Sequence, residues 1–319
     1  MLKDLTYKVI VIDDDSDLYE DYIEQIEKIL KAQGYLLEHD RYEELDELEE
    51  NSLEDVDLFL VDLKFGKEDK GPEFIEKIRE KHYTDILFYS SDAKAIQASR
   101  ASGNFQGVFF AIRDENKSEI TDMIRHLLEK MIKRSNTPLA SRGLVLGCVA
   151  ELDNIVKEKI YALLLKIDPA QAEDLLNDCI KLYYCSYKGQ SKKIKDFFGI
   201  DFHGGMLKWE DVKKAYSKYE VAELVQNVDI TDSNKNFRVL LNAYEQAIGQ
   251  DATYNIIKNF IELLSDRNIF AHVQEEKDDE GNYRFKRLKK DEYLVLTEEK
   301  CIELRTSIVE YYNMISAIS

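Results

Sequence analysis

YKVIVIDDD, residues 7–15, is a continuous apolar run that ends abruptly in three aspartates. An apolar run of this length without alternation is typical of a β-strand buried on both faces, as the strands of parallel sheets are. The next segment, residues 17–34, has helical periodicity and ends at a glycine, a common residue just after a helix. A buried strand followed by an amphipathic helix predicts the start of an alternating β/α chain.

Four further short apolar runs continue this alternation. Helical segments separate them, and the runs are YLLE (35–38), DLFLV (57–61), ILFY (86–89) and VFFAI (108–112). Short buried strands that alternate with helices form a parallel sheet with helices on both faces. The sequence therefore predicts an α/β doubly wound, parallel, five-stranded sheet.

A change of composition marks the end of this region. The stretch RSNTPLASRG (134–143) carries a proline, a glycine and small polar residues, which is typical of a linker. Beyond it amphipathic helices predominate, except for a predicted hairpin within residues 283–296. We predict one domain over residues 1–134, a linker over 135–143, and an all-α helical bundle with a small β-hairpin insertion over 144–319.

The composition of the chain limits its partners and its location. A net charge of −19 repels phosphate backbones, so we expect no DNA partner. No apolar run is long enough to cross a bilayer, and the N-terminus lacks the apolar segment of a secretory signal, so we expect no membrane association. The four cysteines are scattered and form no CxxC pair. Free thiols of this kind fit a reducing compartment, and the predicted location is the cytoplasm.

One local basic stretch, NYRFKRLKK (282–290), departs from the acidic composition. Two interpretations fit it, namely the solvated face of a hairpin strand or a short surface that contacts RNA. The cations of this stretch are Arg284, Lys286, Arg287, Lys289 and Lys290.

Aspartates follow two of the predicted strands. Asp13 and Asp14 come directly after the first strand, and Asp62 ends the third. In open α/β sheets, ligands bind beyond the carboxyl ends of the strands, near the point where the strand order reverses. Converging carboxylates offer oxygen ligands to Mg²⁺, and a carboxylate beside this ion can accept a phosphoryl group. Asp15 stands where the first helix needs an N-cap, so we assign it to capping.

Three stretches together resemble the receiver domain of two-component response regulators, over roughly residues 5–134. They are VIVIDDDSDLYEDY (9–22), DLFLVDLKFGKEDKGPEFIEKIRE (57–80) and ILFYSSDA (86–93). The resemblance implies a flavodoxin-like fold and a phosphodonor such as a sensor histidine kinase. It also implies that Asp62 is phosphorylated, and that Mg²⁺ is held by Asp13, Asp14, Asp62 and the backbone carbonyl of Lys64.

The same resemblance assigns residues at the fourth and fifth strands. It implies that Ser90, with Ser91 as the alternative, bonds the phosphoryl group. We predict that Ser90 and Phe110 are the switch residues. The fifth strand of the family usually ends in Lys-Pro, whereas this chain has GVFFAIRDE (107–115). Arg113 is the nearest cation and takes the place of the lysine, although a planar guanidinium differs from a compact ammonium.

The stretch LLSDRNIFAHV (263–273) places polar groups where an apolar helix stripe should continue. Asn268 and His272 extend a stripe that begins at Ile257, and Arg267 lies on its flank. A histidine can move protons near neutral pH, and a guanidinium can stabilise charge on phosphorus. These residues therefore form a candidate catalytic site at the end of the helix. The alternative is a capped core helix without a catalytic role.

The pattern Arg267-Asn268-x-x-x-His272, followed by a hairpin and a last helix, resembles the HEPN superfamily over roughly residues 145–319. The resemblance implies an endoribonuclease without a cofactor, with RNA as substrate, acting in phage defence or growth arrest. It also implies a homodimer in which two motifs face each other. Two hypotheses are open: a receiver that controls an endoribonuclease, or a non-catalytic signalling adaptor whose bundle mediates dimerisation or partner binding.

Overall fold

The structure, a computed structural model, describes residues 2–43, 48, 53, 55–63, 78, 84–102, 106–114, 118–198, 208–216, 218–227, 229–287 and 292–318. Within these ranges it describes the backbone alone at residues 102, 138, 139, 190, 191, 193–198, 216, 265–268 and 270–272.

The N-terminal part folds around one parallel sheet of five strands, which confirms the predicted α/β architecture. The strand order is β2-β1-β3-β4-β5, the flavodoxin-like order in which the chain moves outward from β1 and then returns to its other side. All neighbouring strands in this sheet are parallel. They are β1 (Thr6–Ile12), β2 (Leu36–Tyr42), β3 (Leu58–Asp62), β4 (Asp85–Ser90) and β5 (Val108–Ile112).

Both faces of the sheet are covered. Every residue of β3 is buried, as expected of a central strand whose alternate side chains point to opposite faces. The helices described in this part are α1 (Ser16–Ala32), α2 (Ala93–Ser102) and α3 (Ser118–Ser135). Asp15 is the N-cap of α1 and accepts hydrogen bonds from the backbone N–H groups of Asp17 and Leu18. The assignment of Asp15 to capping is thereby confirmed.

The C-terminal part is mostly helical, which confirms the predicted bundle. Its small sheet has three strands in the order β6-β7-β8, whereas the sequence predicts a two-stranded hairpin. Among the described residues, no helix is long and apolar enough to span a membrane. The elements are α4 (Pro138–Leu164), α5 (Pro169–Phe198), α6 (Trp209–Tyr216), α7 (Val221–Gln226), α8 (Ser233–Ala247), α9 (Ala252–His272), β6 (Glu276–Lys277), β7 (Tyr283–Lys286), β8 (Tyr293–Leu296) and α10 (Glu298–Ser316).

Contacts divide the chain into two compact units, and neither unit is continuous in sequence. The N-terminal unit comprises Met1–Ser141 with Leu296–Val309, and the C-terminal unit comprises Arg142–Val295 with Glu310–Ser319. The last helix, α10, therefore contributes residues to both. The predicted linker, residues 135–143, contains the last residue of α3 and the first turns of α4. Domain boundaries at residues 134 and 144 remain a prediction.

Within the N-terminal unit, α10 is anchored through Arg305, which is 3% exposed. Its Nε donates to the carbonyl oxygen of Gln33 and its Nη1 to Oδ1 of Asn136, each at 2.8 Å. The guanidinium also lies 4.7 Å from the ring centroid of Tyr35. Gln33 is the C-cap of α1, and the carbonyls at a helix end lack partners within their own helix. Arg305 therefore completes the end of α1.

Candidate functional site

The carboxyl ends of β1 and β3 form the point where the strand order reverses, and this is where ligands bind in such sheets. The two strands are neighbours, with Ile12 opposite Val61. Asp13 follows β1 and is 0% exposed, while Asp62 ends β3 and is 5% exposed. The structure thus places two nearly buried carboxyl groups, both selected from the sequence, at one edge of the sheet.

Arg113 faces Asp62 from the end of β5. Its Nη1 lies 3.4 Å from Oδ2 of Asp62, and its backbone N–H donates to the carbonyl of Ser90 at 2.8 Å. The ion pair lacks hydrogen-bond geometry, and Nη1 is a buried donor without a hydrogen-bond partner among the described residues. The guanidinium that replaces the expected lysine therefore reaches Asp62 and keeps a donor for a further acceptor.

Asp13 is held by groups of the chain itself. The Tyr89 hydroxyl donates to its Oδ2 at 2.5 Å, and the Asp15 backbone N–H donates to its Oδ1 at 2.9 Å. Burial raises the pKa of Asp13 above its ordinary value, while the hydrogen bonds and the charge of Arg113 act in the opposite direction. Burial and the neighbouring Asp13 raise the pKa of Tyr89 well above its ordinary value.

Arg41 and Tyr89 are residues of this site that sequence reasoning missed. Arg41, from β2, donates its Nε to the carbonyl of Asp13 at 3.1 Å and its Nη2 to the carbonyl of Asp14 at 2.7 Å. Asp14 itself is exposed. Neither Arg41 nor Tyr89 belongs to a motif, and only the pairing of β1 with β2 and the path of β4 bring them to the aspartates. The only sequence signal for either residue was that Arg41 is a basic residue near the end of β2.

The predicted switch residues lie on β4 and β5. Ser90 is 0% exposed, and its Oγ accepts from the backbone N–H of Asp92 at 3.2 Å, whereas Ser91 is exposed. The half-buried Phe110 ring stacks on Phe88 with ring centroids 5.8 Å apart. Ser90 thus ends the strand next to β3, while Phe110 packs in the core. Lys64 lies outside the described residues.

The donors at this edge fit Mg²⁺ in their chemistry, since Asp13, Asp14 and Asp62 all offer the hard oxygen ligands that this ion takes. They are not gathered as a metal cage, because no three His, Cys, Asp or Glu side chains of the described part form a group that could hold an ion. The Tyr89 hydroxyl already donates a hydrogen bond to Asp13, and the Arg113 guanidinium already pairs with Asp62.

A second candidate site lies at the end of α9. Arg267, Asn268 and His272 all belong to this helix, whose C-cap is Val273, and their side chains are outside the description. All three residues lie in the last turns of the helix, where Asn268 and His272, four residues apart, share one side, and Arg267 lies about 100° around the axis from Asn268. Whether their side chains meet is untested, so their catalytic assignment remains a prediction.

The apolar stripe of α9 is covered by its own chain. Ile257 and Phe260 are 0% exposed and Leu264 is 1% exposed. The Phe260 ring lies 4.6 Å from that of Phe237 on α8 and 4.3 Å from that of Tyr311 on α10, measured between centroids. The chain itself thus buries three residues of this stripe, while Ile261 is half-buried. A homodimer whose interface includes α9 remains a prediction.

Arg142, near the start of α4, fixes the end of α9. Its Nη2 donates to the carbonyl of Val273 at 2.6 Å and pairs with Glu275 at 2.7 Å. The guanidinium also lies 5.1 Å from the ring centroid of Phe285, which is fully buried. Sequence reasoning did not select Arg142. A cation at a helix C-terminus satisfies its last carbonyls, so Arg142 orders the turn after the predicted motif.

The basic stretch is partly engaged within the small sheet. Arg284 lies on β7, where its Nη2 is 3.3 Å from Oε2 of Glu276 and its guanidinium is 4.4 Å from the Tyr293 ring centroid. Lys286 is exposed and Arg287 is half-buried. Lys289 and Lys290 lie outside the described residues. Arg284 thus has local partners, and RNA contact by this stretch remains a prediction.

Comparison with solved structures found chains that are similar to this one. A response regulator receiver domain protein from Clostridium thermocellum has 16% identity and a TM-score of 0.29, covering 39% of this chain and 96% of its own. Full-length FixJ from B. japonicum has 14% identity and a TM-score of 0.28, covering 74% of this chain and 97% of its own. Scores of this size do not establish a common fold, so the fold assignment rests on the strand order.

No protein-family model matches the chain, and no curated protein matches it.

Proposed function

We propose that the N-terminal unit is a phosphorylation-responsive receiver in which Asp62 accepts a phosphoryl group from a phosphodonor such as a histidine kinase. One observation carries the proposal. The nearly buried Asp62 carboxylate lies at the switch point of the sheet, 3.4 Å from an arginine nitrogen that makes no hydrogen bond among the described residues. A carboxylate paired with an uncommitted cationic donor suits a group that arrives with more negative charge.

The chemistry needs a nucleophile and charge balance. An oxygen of Asp62 attacks phosphorus, the new O–P bond forms, and the bond to the leaving group of the donor breaks with its electron pair. The phosphoryl group carries up to two negative charges at neutral pH, which replace the single charge of the ionised carboxylate. The Arg113 guanidinium can donate from Nη1 to the new oxygens. Ser90, at the end of the adjacent strand, is the proposed hydroxyl donor to them.

The proposed phosphoryl transfer also uses a divalent ion. Asp13, Asp14, Asp62 and the backbone carbonyl of Lys64 are the groups that would hold Mg²⁺. When bound, the ion offsets the negative charge of the incoming phosphoryl group. The residues of the chain orient the acceptor oxygen and pair with the product charge.

Labelling with radioactive acetyl phosphate in the presence of Mg²⁺ tests the receiver. The wild type should take up label and bind beryllofluoride, while Asp62→Asn should do neither. Asp15→Asn is the matched control, because asparagine caps a helix as well as aspartate does and Asp15 lies at the same edge of the sheet. Equal labelling of the wild type and Asp62→Asn would reject Asp62 as the acceptor.

For the C-terminal unit we propose a metal-independent endoribonuclease that uses Arg267, Asn268 and His272. The 2′-oxygen of RNA forms a bond to the adjacent phosphorus, and the bond from phosphorus to the 5′-oxygen breaks. His272 moves the proton, Arg267 balances the charge on phosphorus, and Asn268 orients the phosphate or the histidine. The position of these residues on one helix supports this proposal. Two copies of the motif across a homodimer would supply both an acid and a base.

Incubation of the protein with RNA in EDTA separates this proposal from a non-catalytic adaptor. Cleavage should leave 2′,3′-cyclic phosphate and 5′-hydroxyl ends, and His272→Ala and Arg267→Ala should each be inactive. His126→Ala, a change of an exposed histidine on α3, should retain full activity. Absence of cleavage by the wild type, or its survival in His272→Ala, favours the adaptor.

A further inference from the structure

One stretch of α5 reverses the charge of this acidic chain. From residue 179 to residue 195 the sequence has five lysines and no aspartate or glutamate, in a chain whose net charge is −19. The chain as a whole repels a polyanion, so a polyanion can bind only where the local charge is positive. This stretch lies outside the basic segment 282–290 and is a second local exception to the acidic composition.

The helix gathers three of these lysines on one face. Lys181, Lys188 and Lys192 are exposed, and at about 100° per residue they fall within about 40° of one another around the axis of α5. Cys179 and Tyr183 are buried and occupy the opposite face. The three lysines form the lysine stripe, which extends over roughly 16 Å of helix surface.

The lysine stripe has no counter-charge within the described part of the chain, because none of its residues forms an ion pair with a described carboxylate. Other helix lysines of the C-terminal unit are paired. Lys157 lies 2.9 Å from a carboxylate oxygen of Asp153, and Lys235 lies 2.8 Å from one of Asp232. The ammonium groups of the lysine stripe are therefore available to an external anion.

Aromatic rings flank the lysine stripe on one side. Tyr184 lies three residues from Lys181 and four from Lys188, so it adjoins both on the helix surface. Tyr187, three residues further along the same side, is 39% exposed. The Trp209 ring at the start of α6 lies 5.4 Å from the Tyr184 ring, measured between centroids. Cationic groups and aromatic rings thus lie side by side on α5 and α6.

Phosphates and unpaired bases together match such a surface. Lysine ammonium groups follow a phosphate backbone, and aromatic side chains stack on unpaired bases of any sequence, because every base has a π-face. An acidic peptide would use the lysines but not the rings. The bases of a duplex are stacked on each other and leave the rings unused. A single-stranded nucleic acid uses both parts of the surface.

We propose that the lysine stripe, with Tyr184, Tyr187 and Trp209, binds single-stranded RNA. The inference deepens the proposed endoribonuclease, because it adds a surface on α5 and α6 that holds the substrate of a motif on α9. It rests on that proposed function for the choice of RNA, while binding itself requires no cleavage. The ammonium groups donate charge-assisted hydrogen bonds to phosphate oxygens, and the rings stack on bases.

Fluorescence anisotropy of the full chain with a labelled oligouridylate tests this surface. The 2′-hydroxyls of the probe are methylated, so that it cannot be cleaved. A combined variant, Lys181→Gln with Lys188→Gln and Lys192→Gln, should bind the probe more weakly than the wild type does. Its plot of log affinity against log salt should be shallower by about 2, because each phosphate contact with a single strand contributes about 0.7 to the slope.

The matched control replaces three exposed lysines of the N-terminal unit, as Lys28→Gln with Lys31→Gln and Lys94→Gln. Both combined variants lose the same charge, and substitutions at exposed positions should leave the fold intact. The control should keep the salt slope of the wild type. Equal changes of slope in the two variants would overturn the proposal, because binding would then depend on net charge alone.

Tyr187 tests the stacking part of the surface. Tyr187→Ala should weaken binding by about fivefold or more, the scale of one stacked base, at an unchanged salt slope. Tyr187→Phe keeps the ring and should bind like the wild type. Wild-type affinity in Tyr187→Ala, equal binding of a duplex RNA, or tighter binding of polyglutamate than of the oligouridylate would overturn the assignment to a single strand.

Failure of the endoribonuclease would appear separately from failure of this surface. A wild type that binds the methylated probe through the lysine stripe but leaves unmodified RNA intact in EDTA has the surface without the proposed activity. A wild type that cleaves RNA, with a lysine-stripe variant that binds the probe equally well, has the activity without the surface. Absence of probe binding by the wild type would also overturn the surface.

Discussion

Arg113 stands where a lysine is expected, and this difference affects how the side chain can contact Asp62 and a phosphoryl group. A lysine ammonium is a compact charge, whereas a guanidinium is a planar fork with several donors. The Arg113 guanidinium lies 3.4 Å from Asp62 and makes no hydrogen bond at Nη1 among the described residues. It can therefore keep its attraction to the carboxylate and also donate hydrogen bonds to phosphoryl oxygens. The guanidinium thus supplies additional hydrogen-bond donors as well as a positive charge.

Arg113→Gln should reduce the rate of phosphoryl uptake at Asp62 by about tenfold or more, because a charge-assisted hydrogen bond to the developing charge is lost. Arg113→Lys keeps the charge but loses the planar fork of donors, so its rate should fall between those of Arg113→Gln and the wild type. Arg100→Gln is the control, as Arg100 is an exposed arginine that bonds the carbonyl of Phe110 and the carboxylate of Glu119. The measurement is labelling by acetyl phosphate over time, and a wild-type rate in Arg113→Gln would contradict the assignment.

Gly34 is required by a positive φ and by close approach of α10. Its φ is +76°, and an added Cβ would lie 2.7 Å from both the Cβ of Arg305 and the backbone nitrogen of Thr306. Gly281 has a similar φ of +85° with nothing within 4 Å of the same added atom. Comparison of alanine substitutions at these two glycines therefore separates the cost of backbone strain from the cost of steric contact.

Gly34→Ala should lower the free energy of unfolding by about 1–3 kcal/mol more than Gly281→Ala does, since only the first change also overpacks a contact. Urea denaturation of the two variants and the wild type gives the difference. Equal losses would show that α10 yields freely at this contact.

Among the elements, the last helix departs most from what the sequence indicates. Continuous apolar runs identified all five strands of the parallel sheet, and the aspartates at the ends of β1 and β3 could be brought together by the rule for switch points. Arg305 gave no such signal, because a charged residue within an amphipathic helix ordinarily faces solvent. Its partners, Gln33 and Asn136, lie far away in the sequence, so only the fold reveals the contact.

Tyr89 escaped prediction for a related reason. Strand periodicity marks it as a core residue, and its ring is indeed buried, but the partner of its hydroxyl depends on which strands become neighbours. The side-chain positions of Arg267 and His272 depend in the same way on tertiary packing, so helix periodicity alone could place them only in the last turns of α9.

Arg305→Met should cost the N-terminal unit about 2–4 kcal/mol of stability. The change leaves the Gln33 carbonyl without its buried donor and removes the contact over Tyr35. Arg125→Met, at an exposed position on α3, is the matched control and should stay within about 0.5 kcal/mol of the wild type. Chemical denaturation compares them, and a near-neutral Arg305→Met would show that water replaces the guanidinium.

At the level of the whole chain, α10 belongs to two units at once. Its first part carries Arg305, which contacts the N-terminal unit, and its last part carries Tyr311, whose ring packs on Phe260 in the C-terminal unit. One continuous helix therefore takes part in two hydrophobic cores, and each core can be loosened separately by a change in that helix.

Hydrogen exchange of single variants should reveal this division. Arg305→Met should accelerate exchange near the end of α1, and Tyr311→Ala should accelerate exchange in α8 and α9, because each removes a buried contact of one core. Removal of residues 296–319 should accelerate both. If Tyr311→Ala alone affected α1 as strongly as Arg305→Met does, the two parts of α10 would not act on separate cores.

The anchoring of Gln33 by Arg305 has a consequence for biosynthesis. The two residues are 272 positions apart, and chains emerge from the ribosome at roughly 5–20 residues per second. The N-terminal unit therefore spends on the order of tens of seconds without its last helix, with the end of α1 and the Tyr35 ring uncovered. A nascent chain therefore completes its first-made unit only after almost all of its second unit has been translated.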